Sequence, residues 1–188
     1  MKIGVNEMKI GNIVEHQGKL WIVVKMVHVQ PGKGGAYIQA ELKGVLDGTK
    51  LNERFRSASE IERIFLDEKQ YQYLYAEGES LVFMDQETFE QIYVKKSVIG
   101  YPAVFLQDGM VVKLMFHEDQ VLSAELPTTA IATIEQADPV VKGQTATSSY
   151  KPAILDNGER IMVPQHIESG MRVIVNTTDG SYVERAKE

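Results

Sequence analysis

Residues 20–42 read Leu20-Trp21-Ile22-Val23-Val24-Lys25-Met26-Val27-His28-Val29-Gln30-Pro31-Gly32-Lys33-Gly34-Gly35-Ala36-Tyr37-Ile38-Gln39-Ala40-Glu41-Leu42. Leu20–Val27 is rich in β-branched and aromatic residues, and Ala36–Leu42 is a second run of the same type. Two such runs around a short Pro/Gly segment predict a β-hairpin with a multi-residue loop. Asp47-Gly48 marks another turn before Thr49–Arg56. Three or four strands with tight turns in the first third predict a small barrel, for which an SH3-like fold is the natural size.

The same pattern continues outward. Ile61–Tyr75 reads as one strand with Tyr71, Tyr73 and Tyr75 on a single face at period two. A turn at Glu77-Gly78-Glu79 leads into Ser80–Met84, and Asp85–Glu90 reads as one helical turn capped by Asp85. Asp108-Gly109 predicts a hairpin turn between Ala103–Leu106 and Met110–Phe116. In the last third, Asn157-Gly158, Ser169-Gly170 and Asp179-Gly180 punctuate Ala153–Leu155, Glu159–Val163, Met171–Val175 and Ser181–Glu184. The segments after Gly109 and after Gly158 both run strand, polar turn, strand, as a diverged pair would.

Joints near Arg63–Leu66 and at Pro127 divide the chain into 1–64, 65–128 and 129–188. The second and third parts have the size of five-stranded OB barrels. The expected fold is therefore all-β, with an SH3-like N-terminal domain followed by two OB-fold domains joined by short, stiff linkers.

Composition narrows the function. The chain of 188 residues has a net charge of −6 and contains no cysteine, which removes disulfides, thiolate metal sites and cysteine nucleophiles. A cytoplasmic location is the simplest reading of a cysteine-free chain with no secretory leader and no apolar run long enough for a membrane span. The charge is uneven. Residues 1–64 hold ten Lys/Arg against seven Asp/Glu, residues 65–128 four against eleven, and residues 129–188 six against eight. A basic first third joined to a strongly acidic middle implies that different parts face different partners.

Enzyme readings fail one after another. Gly32-Lys33 resembles the end of a phosphate-binding loop, but Val27 stands where the leading glycine belongs and Gly34 where Ser/Thr belongs. The four histidines, His16, His28, His117 and His166, lack metal spacing, and His117-Glu118-Asp119 reads as a solvated turn. No GxSxG, HExxH or Gly-rich nucleotide fingerprint occurs. No catalytic residue, metal ligand or cofactor is expected.

What stands out is Lys33. Pro31 fixes one dihedral, while Gly32, Gly34 and Gly35 permit positive φ, so the tip of the hairpin can be tight and project its only long side chain. A lysine on a turn is ordinarily just solvated, and composition alone leaves the matter there.

The motifs go further. His28-Val29-Gln30-Pro31-Gly32-Lys33-Gly34-Gly35-Ala36 and Leu51-Asn52-Glu53-Arg54-Phe55-Arg56 closely resemble the first domain of bacterial elongation factor P. The likeness continues through Glu87-Thr88-Phe89-Glu90-Gln91, Val141-Lys142-Gly143-Gln144-Thr145-Ala146, Lys151-Pro152-Ala153, Val163-Pro164 and Gly180-Ser181-Tyr182-Val183-Glu184-Arg185. It touches all three thirds in the family's order. The resemblance implies an elongated, L-shaped monomer of transfer-RNA size that binds the ribosome, both its RNA and its proteins, between the peptidyl and exit sites. It further implies that Lys33, extended by a lysine-modifying enzyme, reaches the acceptor end of the peptidyl-site tRNA and relieves stalling at consecutive prolines.

Gly143, Gln144, Thr145 and Ala146, with Tyr182 and Arg185, become candidate contacts to messenger or ribosomal RNA. Two departures stand out. Gln144 replaces the family's common Asp, exchanging a charge for an amide that both donates and accepts. Thr147-Ser148-Ser149-Tyr150 replaces a stretch that is often glycine-rich. The alternatives are a paralogue that commonly carries arginine at the tip, the two-domain hypusine-bearing factors, and a general OB-fold binder of single-stranded nucleic acid. Lys33, the third domain and the acidic middle respectively speak against them.

Overall fold

The computed structural model describes residues 1–139 and 150–187. They form an all-β protein of three sheets.

The first sheet contains β1 (Lys2–Gly4), β2 (Ile13–His16), β3 (Lys19–Val29), β4 (Tyr37–Gly44), β5 (Lys50–Arg56) and β6 (Glu60–Ile64). Its order is β1-β6-β2-β3-β4-β5. Alternation fills its core: Ile38, Ala40 and Leu42 of β4 point inward with Val14, Trp21, Val23 and Phe55. The predicted hairpin is present, with β3 paired to β4 from Trp21↔Gly44 to Val29↔Tyr37. A bulge at Val24 resets the alternation, so that Lys25, opposite Glu41, faces outward.

The second sheet contains β7 (Asp67–Glu77), β8 (Ser80–Asp85), β9 (Gln91–Lys95), β10 (Val111–His117) and β11 (Gln120–Glu125), ordered β11-β10-β7-β8-β9. Four sequence expectations change here. Ile61–Tyr75 is two strands in two sheets, divided at Phe65-Leu66. Tyr71 and Tyr73 are buried, but a bulge at Leu74 turns Tyr75 outward to 47 % exposure. Asp85–Glu90 is a turn and not a helix, although Asp85 does cap it by accepting from the backbone N–H of Glu87 at 2.7 Å and of Thr88 at 3.2 Å. Ala103–Leu106 is no strand: a short helix α1 (Lys96–Ile99) runs into a 3₁₀ turn over Tyr101–Phe105, started by Pro102. His117-Glu118-Asp119 is the expected turn, with Glu118 and Asp119 both at positive φ between β10 and β11.

The third sheet contains β12 (Thr129–Ala137), β13 (Tyr150–Leu155), β14 (Arg160–Pro164), β15 (Arg172–Asn176) and β16 (Tyr182–Arg185), ordered β14-β13-β12-β15-β16. Taken in chain order, both later sheets place their first strand centrally, with the second and third on one side and the fourth and fifth on the other. They thus share one topology. The counterpart of β10 after Gly109 is β15, so the pairing with the segment after Gly158 is out of step by one strand.

Two compact units emerge: Met1–Asp67 with the hairpin tip Phe116–Leu122, and Glu68–Met115 with Ser123–Glu188. The second unit holds the third sheet, and the second sheet apart from Asp67 and that tip. Among the described residues no helix is long and apolar enough to cross a membrane.

Candidate functional site

Lys33 sits in a seven-residue connection, 30–36, between the ends of β3 and β4. Residues 30–35 are all exposed. Of the three loop glycines only Gly34 takes a positive φ, +105°. A Cβ there would lie 4.0 Å from Pro31 Cγ, so the strain at this position is in the backbone and not in crowding. Gly32 and Gly35 do not take a positive φ, and a Cβ built on either would meet nothing within 4 Å. Among the described residues the Lys33 ammonium has no hydrogen-bond or ion-pair partner. An unpaired cation on a two-stranded arm is free to meet an external anion.

The arm beneath the loop is rigid. Val29↔Tyr37 closes the hairpin, Tyr37 pairs onward with Arg56, and the Ser57 N–H donates to the Ala36 carbonyl at 3.0 Å. A pocket lined by Asn6, His28, Val29, Gln30, Ala36, Tyr37 and Ser57 lies at its root.

The outward face of β3, β4 and β5 beside the loop is rich in charged side chains. In register, Lys43 faces Lys50, Gln39 faces Arg54, Tyr37 faces Arg56, and Lys25 faces Glu41. Lys25, Lys43, Lys50, Arg54 and Arg56 are exposed there. Sequence reading registered this face only as a charge balance. The period-two spacing of Lys50, Asn52, Arg54 and Arg56 was the signal that could have placed it. A strip of cations ending at an unpaired lysine suits a phosphate backbone.

The remaining candidates separate. Gly143, Gln144, Thr145 and Ala146 lie outside the described residues. Tyr182 is half-buried against the core of the third sheet, and its hydroxyl is held above the usual tyrosine range by burial and by Glu184. Arg185 is exposed. A shallow groove beside Tyr182 is lined by Tyr150, Arg160, Met162, Asp179 and Ser181. Tyr150 and Met162 are 48 % and 51 % exposed, and sequence reading assigned no contact to them or to Arg160.

Three family models match along the chain. Residues 4–61 match the elongation factor P KOW-like domain, 66–124 the elongation factor P OB domain and 131–185 the elongation factor P C-terminal domain. The chain belongs to the elongation factor P family. It is 59% identical over 186 residues to elongation factor P of Sphingopyxis alaskensis, covering 99% of this chain and 100% of that one. Against elongation factor P of Bartonella bacilliformis it is 53% identical over 188 residues, covering 100% of this chain and 99% of the relative. Among solved structures, eukaryotic translation initiation factor 5A from Methanococcus jannaschii superposes with a TM-score of 0.54 at 22% identity, covering 68% of this chain and 94% of that chain. That likeness is one of fold. The full-length family match makes the chain a translation elongation factor.

Proposed function

We propose that this elongation factor binds the ribosome between the peptidyl and exit sites and speeds peptide-bond formation by bracing the acceptor end of the peptidyl-site tRNA with Lys33. Residues 1–64, 65–128 and 129–188 act as its three domains, and the first delivers the lysine. The observation that carries the proposal is the unpaired, exposed Lys33 ammonium at the end of a paired β-arm whose outward face is lined with cations.

No bond chemistry is required of the factor itself. Proline is a constrained nucleophile, and a polyproline chain can hold the reacting ester out of line. Fixing the tRNA end restores a near-attack arrangement, so the gain is orientational. Arg54 and Arg56 near the loop, with Lys25, Lys43 and Lys50 farther down the face, meet phosphates while Lys33 reaches the terminal nucleotides. The loop's openness fits modification: a group added to Nζ has nothing to displace. Pro31, Gly32, Gly34 and Gly35 are the scaffold a lysine-modifying enzyme would read. In the third domain, Tyr182 and Arg185 face ribosomal RNA, and Gly143–Ala146 face the exit-site codon. The factor works as a monomer in the cytoplasm without metal or cofactor.

The test is a reconstituted translation system programmed with a message encoding consecutive prolines. Adding the purified protein should raise full-length product on that message and leave a proline-free control unchanged. Equal yields on both messages, with and without the protein, would overturn the proposal. Intact-mass measurement of the protein from its native host would identify any group on Lys33.

A further inference from the structure

The Tyr101–Phe105 turn follows β9 and α1 in the chain, yet it serves the third sheet. Phe105 is 2 % exposed and lies in the third sheet's core among Ala132, Ile134, Leu155 and Val173, with Val104 packed on the same cluster. Tyr101 meets Phe105 edge-on, with centroids 5.7 Å apart and an interplanar angle of 78°.

The receiving surface is the Asp179-Gly180 turn between β15 and β16. Gly180 has φ +76°, and a Cβ built on it would overlap the Tyr101 hydroxyl and stand 3.2 Å from Phe105 Cζ. Glycine is therefore required there twice, by backbone conformation and by the ring that occupies the space. Two amide side chains fasten the same seam. Asn157 Nδ2 donates to the Val104 carbonyl at 2.7 Å, and Gln107 Nε2 donates to the Ile131 carbonyl at 2.6 Å. The Tyr101 hydroxyl faces Glu159 and Asp179, and burial first, then Glu159, holds it above the usual tyrosine range.

We infer that Tyr101 and Gly180 are positioning residues that key the second and third barrels into one body and thereby set where Tyr182 and Arg185 stand. All the contacts involved fall within the compact unit of Glu68–Met115 and Ser123–Glu188. Gly180 opens the Gly180–Arg185 motif, two residues before Tyr182, so a displaced turn displaces the strand that carries both candidate RNA contacts. The Gly180 of that motif is then an internal socket and not itself an RNA contact. Only the consequence for Tyr182 and Arg185 rests on the proposed ribosomal reading; the key itself does not.

The absence of cysteine makes the test clean. Spin labels on Glu87→Cys and Glu168→Cys, both exposed positions in the second and third barrels, report the distance between the barrels in the full chain. The parent should show one narrow distance distribution. Tyr101→Ala should broaden it, Gly180→Ala should shift it, and Gly180→Ala should shift it less in the Tyr101→Ala background than in the parent, because only the backbone strain and the Phe105 contact remain there. An unshifted narrow peak in Tyr101→Ala would overturn the key, and this variant adds no strain, so it carries the test even if Gly180→Ala fails to fold. The same shift from Gly180→Ala with or without the Tyr101 ring would assign the effect to backbone strain and likewise overturn it. Polyproline rescue should fall in Tyr101→Ala while the Lys33 loop is untouched. A broadened distribution with undiminished rescue would keep the key and overturn its positioning role.

Discussion

The Arg54 guanidinium lies 4.2 Å from the centre of the Tyr37 ring. Tyr37 is the first residue of β4 and pairs with Val29, where the Lys33 loop begins, while Arg54 sits diagonally across on β5. The contact thus ties the root of the loop to the strand behind it and holds a cation on the outward face. Arg54→Ala should lower stability by about 0.5–1 kcal/mol, the worth of an exposed cation–π pair. Urea titration checks this: the midpoint should fall with an unchanged slope.

A second prediction concerns acid. Asp47 accepts hydrogen bonds from the Thr49 N–H at 3.0 Å and the Thr49 hydroxyl at 2.7 Å, and it pairs with Lys19. The Lys19 bond foremost, then those from Thr49, holds its carboxyl far below the usual range. Asp85 and Asp179 are lowered too, by backbone N–H of Glu87 and by the Ser181 hydroxyl. A carboxyl whose folded pKa lies below its unfolded value of about 3.9 stabilises the fold fully above that value. The contribution is lost as pH falls from there through the folded pKa. Stability measured by urea titration should therefore drop below about pH 4, and Asp47→Asn should make that drop shallower.

Lys151 offers a test inside the third barrel. It is 5 % exposed, and its ammonium donates to the Asp138 carbonyl at 2.6 Å. Lys151→Met keeps most of the apolar stem and leaves the carbonyl without that donor. The expected loss is on the order of 1–3 kcal/mol, read as a fall in the thermal midpoint.

Much of this architecture is written locally. The Pro/Gly run around Lys33 and the β-branched arms beside it mark the hairpin without reference to anything distant. What was misread depends on partners far along the chain. Ala103–Leu106 is apolar enough for a strand, but Phe105 is apolar because the third core needs it, and Pro102 starts a tight turn instead. Tyr75 follows the period of Tyr71 and Tyr73, and only the bulge at Leu74, set by pairing with β8, turns it out. Ala130 and Ala132 of β12 alternate inward ahead of Ile134, and alanine carries little strand preference of its own. The Tyr101–Gly180 contact joins two segments with no shared motif. No local pattern reveals it.

Binding to ribosomes should weaken as salt rises, because the face of β3, β4 and β5 exchanges counterions for phosphate. Lys43→Ala and Lys50→Ala should each lower affinity and reduce the slope against log salt by about 1. Filter binding at a series of potassium concentrations checks both. A salt-independent affinity would place docking on protein surfaces alone.

The central claim is tested most directly by comparing the parent chain with Lys33→Ala and Lys33→Arg in reconstituted synthesis across consecutive prolines. Thermal midpoints should match the parent, since Lys33 is exposed. Rescue should be lost in both variants, the arginine failing despite its charge because it cannot take the same extension or reach. Full rescue by either folded variant would contradict the role given to this side chain.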